Sequence, residues 1–311
     1  MNIKLIACDM DGTLLDDKKK ISSRTAKAIA AAMEAGIMFV IATGRMYISA
    51  KPYAEQLGLD VPIVTYNGAL IRGSRSGKIF YEQPIKKETA QRVLDYCKEH
   101  HYYLQFYVGD ACYIKEANAY SDYYERIQTI KLNPVGDNLY SAIGEPYKIL
   151  ITSEPEEHDA IMEGFKEHFS EVLHITSSHP QFVELLDPAV NKWATIQKLA
   201  AQYNIQPEEI MCLGDSGNDL EMVANAGLGV AVGNAVPEVK HSAKIITASN
   251  NEDGVAMAIE YVLNNLVQNK LSTNDLLADK LVFTDNFNLS IENHITMEDN
   301  TDKNAKTAAK E

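Results

Sequence analysis

The sequence predicts an α/β protein with a parallel sheet, interrupted by a second α+β unit. Three observations carry this. Strand-like, mainly apolar segments at 3–7, 37–42 and 61–65 are separated by helical stretches. The rhythm breaks over 83–187, then returns from 190 with the runs 209–213, 228–232 and 244–247. At 311 residues the chain has room for two modest domains of roughly 150 residues each.

The opening run of Ile3, Leu5, Ile6 and Ala7 reads as a buried strand, and Gly12-Thr13 after it lets the chain turn sharply. Residues 22–35 are Ala-rich, begin at a Ser cap and stop at Gly36, which predicts a helix. The run 37–42 is apolar throughout, as expected of a strand covered on both faces. A further helical stretch ends near Gly58, and 61–65 makes a third strand. Residues 70–82 predict a hairpin around Gly73 to Gly77, preceded by Tyr66-Asn67-Gly68, a turn because Asn-Gly favours positive φ. The middle mixes a helix at 86–100 with strands at 103–108, 149–152 and 181–185. Its many tyrosines read as packing residues with wetted hydroxyls.

Alternation resumes with a helix at 192–203 and a strand at 209–213 that ends in Gly214-Asp215-Ser216-Gly217-Asn218-Asp219. A helix at 219–225, a strand at 228–232, a short helix from Pro237, a strand at 244–247 and a helix at 252–265 follow. The core is therefore expected to be 1–82 plus 188–265, with 83–187 inserted between its halves. Residues 266–311 are polar with sparse apolar groups and read as a disordered tail, carrying at most a short helix over 266–281.

Charge and composition narrow the function. Asp and Glu total 43 against 29 Lys and Arg, a formal charge of −14, which argues against a nucleic-acid groove or an anionic membrane surface. An anionic substrate would need a local positive site from a metal ion, a lysine or backbone amides. Cys8, Cys97, Cys112 and Cys212 are scattered, with neither a disulfide framework nor zinc spacing, so a reducing cytoplasm is expected. No signal-peptide pattern opens the chain, and no apolar run approaches the ~20 residues needed to span a bilayer.

Four separated pieces carry the chemistry: Asp9/Asp11, Thr43-Gly44-Arg45, Lys192, and Asp215/Asn218/Asp219. Each has an ordinary reading when taken alone, as a turn, a helix cap or a solvated lysine. The strand-end pieces share the carboxyl ends of predicted parallel strands, where α/β sheets bind ligands, and so can meet in space. Phosphomonoester hydrolysis asks for this set of groups. Asp9 would attack phosphorus, and Asp11 would protonate the leaving oxygen and later take a proton from water. Mg²⁺ suits the oxygen ligands of Asp9, the Asp11 carbonyl and Asp215, with Asp219 either ligating directly or orienting the ligands. Asp9, Met10, Thr43, Gly44, Lys192 and Asn218 are the candidate phosphate-binding positions.

The ordered set DMDGTLL (9–15), IATGR (41–45), Lys192 and GDSGND (214–219) resembles the four motifs of the haloacid dehalogenase (HAD) superfamily. More narrowly it is similar to the Cof-type branch, the class IIB sugar phosphatases, as are YNGA (66–69), GVAVGNAVPEVK (229–240) and DGVAMAIE (253–260). The resemblance covers about 1–265. It implies a Rossmann-like core, a mobile α/β cap, and Mg²⁺-dependent hydrolysis of sugar phosphates or related metabolites. It places Asp9 as nucleophile, Asp11 as acid/base, Thr43, Gly44 and Lys192 on the phosphoryl group, Asp215 on the metal and Asn218/Asp219 around both. A small phosphorylated metabolite is the expected partner. A phosphosugar mutase using the same intermediate, or a non-catalytic phosphometabolite sensor, are the alternatives.

Overall fold

The structure, a computed structural model, describes residues 2–58, 62–141, 144–268, 280–283 and 289–292. β1 (Leu5–Cys8) is buried at every position and pairs in parallel with β2 (Met38–Ile41) on one side and β12 (Ile210–Gly214) on the other. Beyond β12 lie β13 (Leu228–Ala231) and β14 (Ile245–Ile246), also parallel. The chain thus runs outward from β1 in both directions, and the order of connection reverses there. That reversal opens a crevice at the carboxyl ends of β1 and β12.

Helices cover this sheet: α1 (Ser23–Glu34), α2 (Tyr47–Gln56), α6 (Lys192–Gln202), α7 (Leu220–Asn225), α8 (Pro237–Ser242) and α9 (Gly254–Gln268). α1 follows the expected pattern. Ser22 caps it by accepting from the Thr25 amide, and Thr25, Ala28, Ile29 and Ala32 form its buried stripe. The backbone of β15 (Lys280–Phe283) and β16 (Leu289–Glu292) continues the sheet past β14, with β15 parallel to β14 and antiparallel to β16. Sequence polarity predicts disorder there, yet these two segments are paired strands. The expected helix over 266–281 and the rest of the tail fall almost entirely outside the described residues.

β3 (Pro62–Thr65) joins β2 through the Ala42–Val64 bridge and pairs with the hairpin of β4 (Leu70–Gly73) and β5 (Ile79–Glu82). After this hairpin comes the inserted α+β cap. Its sheet has the order β10–β11–β9–β6–β7–β8, built from β6 (Leu104–Val108), β7 (Ala111–Ile114), β8 (Asn133–Pro134), β9 (Lys148–Thr152), β10 (His174–His179) and β11 (Phe182–Leu186). α3 (Lys87–Glu99) and α5 (His158–Phe169) bury one face of it, enclosing Val93, Leu94, Phe106, Ile149, Phe165 and Val183. The other face, with Tyr107, Leu150, Phe182 and Leu186, packs into the cluster that contains the core's own apolar residues. α4 (Ala119–Gln128) lies on this second side, and Ser49 donates to the Gln128 carbonyl at 2.6 Å across the junction.

Candidate active site

Asp9 stands one residue past β1, and Lys192 is the first residue of α6, which starts where Asn191 accepts from the Ala194 amide. The Lys192 ammonium is buried and donates to Asp9 Oδ1 at 2.5 Å and to Asp219 Oδ1 at 2.7 Å. Asp219 spends its other oxygen on the Asp215 and Ser216 amides at 2.9 and 3.1 Å. Asp215 accepts from Thr13 Oγ1 at 2.7 Å and from Ser216 Oγ at 2.9 Å. Gly12 must be glycine: its φ is +79°, and a Cβ would sit 2.6 Å from Asp215 Oδ2. The first loop and the acidic loop are therefore locked together.

One carboxylate oxygen from each of Asp9, Asp215 and Asp219 lies within 4.8 Å of the other two. Burial raises the Asp9 carboxyl well above its ordinary value; Lys192 opposes this, while Asp219 and Asp215 add to it. Burial, then Asp219, pushes Asp215 up to about 6. Burial works against the charge on Lys192, but Asp219 and Asp9 outweigh it, so the ammonium is held above the usual lysine value. Three buried carboxylates around one ammonium leave negative charge to be neutralised, and the donors are hard oxygens. That set fits a divalent cation.

Asp11 points elsewhere. Arg45 grips it with two hydrogen bonds, Nε to Oδ2 at 2.6 Å and Nη2 to Oδ1 at 2.7 Å, and Lys19 adds a third at 2.8 Å. Burial pushes this carboxyl up, but Arg45 and Lys19 more than reverse it and hold it at about 2. Thr43, Gly44 and Asn218 line the same cavity as Asp9 and Asp11, a space of about 250 Å³. Thr43 Oγ1 accepts from the Arg45 amide at 3.1 Å. Gly44 is pressed close: a Cβ would fall 2.8 Å from Asn67 Oδ1. Asn218 Nδ2 donates to Asn67 Oδ1 at 2.9 Å. The Met10 side chain is buried in the core and its carbonyl accepts from the Leu15 amide.

All the predicted site residues thus gather at the carboxyl ends of β1, β2 and β12, although Asp11 faces Arg45 and not the acidic cluster. Sequence reasoning did not single out Lys19, Asn67, Lys148 or Glu184 for the site, and it named Arg45 within Thr43-Gly44-Arg45 without giving it a role. Arg45 was visible inside the IATGR motif, and Asn67 was visible as a turn residue with φ 55°. Lys148 and Glu184 come from the cap and line the cavity roof with Tyr123, Ile127, Gln128 and His179. Burial pulls the Lys148 ammonium down from the lysine value, with Glu184 pulling the other way. The signal for Glu184 is a lone charge inside the apolar strand FVELL.

This arrangement of a strand-end aspartate, a bridging lysine and an acidic loop beneath a cap defines a hydrolase that handles phosphoryl groups. The chain belongs to the haloacid dehalogenase-like hydrolase family, whose model matches residues 6–259. It is 34% identical over 266 residues to the 5-amino-6-(5-phospho-D-ribitylamino)uracil phosphatase YitU of Bacillus subtilis, covering 81% of this chain and 94% of that protein. The phosphatase YwpJ of the same organism is 30% identical over 287 residues, covering 84% of this chain and 100% of that one. Among solved structures, the HAD subclass IIB sugar phosphatase BT4131 superposes with a TM-score of 0.73 at 25% identity, covering 83% of this chain and 98% of that one. The protein is therefore a phosphatase of the HAD type with a cap inserted in its core. No helix among the described residues is long and apolar enough to cross a membrane.

Proposed function

We propose that the protein is a Mg²⁺-dependent phosphomonoesterase that hydrolyses small phosphorylated metabolites, sugar phosphates or polyol phosphates, through an aspartyl-phosphate on Asp9. The observation that carries the reading is the buried Lys192 ammonium, joined to Asp9 at 2.5 Å and to Asp219 at 2.7 Å beside Asp215. Asp9 attacks phosphorus as the bond to the leaving oxygen breaks, and Asp11 supplies that oxygen's proton. Water then attacks the phosphoryl group and gives its proton to Asp11, so the Asp9 carboxylate is regenerated and inorganic phosphate departs. Asp11 is ionised in the state described here, the form that accepts a proton. To donate one it must first part from Arg45 and Lys19.

Thr43 Oγ1, the Gly44 and Met10 amides, Asn218 and Lys192 hold the phosphoryl oxygens. Asp9, the Asp11 carbonyl and Asp215 would hold Mg²⁺, which would supply positive charge against those oxygens. Asp219 fixes the site from behind, through Lys192 and two backbone amides. The mixed lining of Tyr123, Ile127, Gln128 and His179 suits a leaving group with both hydroxyls and an apolar or ring portion.

Asp9→Asn is expected to stay folded and lose p-nitrophenyl phosphate hydrolysis by about 10⁴-fold or more, the scale of losing a nucleophile. A wild-type rate in that variant would remove Asp9 from the role. EDTA should silence the enzyme and Mg²⁺ restore it, whereas full activity after thorough chelation rules out the metal. A phosphate-release panel of sugar phosphates, polyol phosphates and 5-amino-6-(5-phospho-D-ribitylamino)uracil tests the substrate class. Isomer formation without phosphate release would point to a mutase, and tight binding without turnover to a sensor.

A further inference from the structure

Two charged residues of the cap sheet reach the core where the phosphoryl group is expected. Lys148 and Glu184 are each 2% exposed, and their nearest charged atoms are 3.7 Å apart, too far for a hydrogen bond. Each instead takes a core partner. Lys148 Nζ donates to the Gly44 carbonyl at 2.8 Å, and Glu184 accepts from Asn67 Nδ2, with Ser178 Oγ of the cap as its second donor at 2.6 Å. Burying such a pair is rarely the most stable choice, since apolar residues of similar volume often do as well or better. Leu150 and Leu186 on the same face show that apolar side chains fit there. Stability alone does not account for the charges.

What the contacts hold does account for them. The Asn67 amide donates to the Thr43 carbonyl at 3.0 Å, and the Tyr66 amide to the Arg45 carbonyl at 3.0 Å. With Lys148 on Gly44, the three successive carbonyls of Thr43, Gly44 and Arg45 are all engaged. A trans peptide sets its N–H opposite its C=O, so pinning the Thr43 carbonyl to Asn67 aims the Gly44 N–H the other way. Asn67 also accepts from Asn218 at 2.9 Å, carrying the connection from Glu184 into the acidic loop.

We propose that Lys148 and Glu184 are positioning residues, a clamp by which the seated cap sets the Thr43–Gly44 loop and the Asn67–Asn218 pair for phosphoryl binding. This rests on the reading of Thr43 and Gly44 as phosphoryl ligands. Because the clamp acts on the group common to all substrates, its loss lowers kcat/KM by the same factor whatever the leaving group. A residue touching the leaving group would instead give losses that differ between substrates.

The test uses the full chain and the double variant Lys148→Met/Glu184→Leu, which removes both charges together. It should fold with a thermal midpoint close to wild type. Its kcat/KM should fall by about 10²-fold, equally for p-nitrophenyl phosphate and for the best sugar phosphate, as expected of a misplaced binding loop. Orthovanadate inhibition should weaken in step. Glu184→Gln, which keeps an acceptor for Asn67, should lose less. Gly44→Ala separates the two readings. If Gly44→Ala is impaired while the double variant keeps wild-type rates, the clamp is refuted and the phosphoryl loop stands. If Gly44→Ala keeps wild-type rates, the loop reading falls and the clamp with it. Losses that differ between substrates, or that only follow a lowered thermal midpoint, also overturn the proposal.

Discussion

Along β9, Ile149 and Ile151 turn to α3 and α5, while Lys148 and Leu150 turn to the core; along β11, Val183 and Leu185 go one way and Phe182, Glu184 and Leu186 the other. The alternation is the two-residue period of any strand. The contrast lies in what covers each face. On β9 and β11 the outer face is apolar and sealed by the cap's own helices, so it holds the cap together. The inner face carries Lys148, Glu184 and Gln105, all buried, and Lys148 and Glu184 are bonded to core residues. A sheet face that buries charge against a separate unit serves the junction more than the fold. One face should therefore govern stability, and the other catalysis.

The largest expected departure is on the outer face. Phe165→Ala should destabilise by about 3–5 kcal/mol in denaturant unfolding, with kcat per folded molecule unchanged. A drop in kcat at full folding would erase the distinction between the faces. On the inner side, Tyr123→Ala, which enlarges the cavity roof, should shift the ratio of kcat/KM between p-nitrophenyl phosphate and a sugar phosphate by about tenfold. Stability should hardly move, because Tyr123 is only partly buried. The smallest effect belongs to the rim, where Arg72 of β4 meets Asp110 of the cap at 2.9 Å in a partly solvated pair. Asp110→Ala should change stability by about 1 kcal/mol or less and leave turnover alone. A large kinetic effect there would mean that rim contacts, and not the buried clamp, seat the cap.

The division also tracks what the sequence reveals. Asp9, Thr43 and Asp215 were readable because each follows an apolar run that must be a buried parallel strand, and the ends of such strands share one edge. Lys192 was readable as the first charged position of a helix following the resumed alternation. Lys148 was not, since a lysine at the start of KILIT looks like the wet end of a strand until the core is laid over it. Arg45 was named within its motif, but its grip on Asp11 was not readable, because it joins residues 34 positions apart through loops whose facing no local pattern dictates. In the tail, Lys280–Phe283 pairs with β14 through its backbone, a contact that composition does not encode.

The bond from Lys148 to the Gly44 carbonyl has a consequence for anyone recombining these enzymes. A cap moved onto a sister scaffold to change what it accepts would also bring the lysine that holds the host's 43–45 loop from above. Chimaeras that swap 83–187 without matching positions 148 and 184 to the recipient's loop should then turn over every ester sluggishly, whatever their new selectivity.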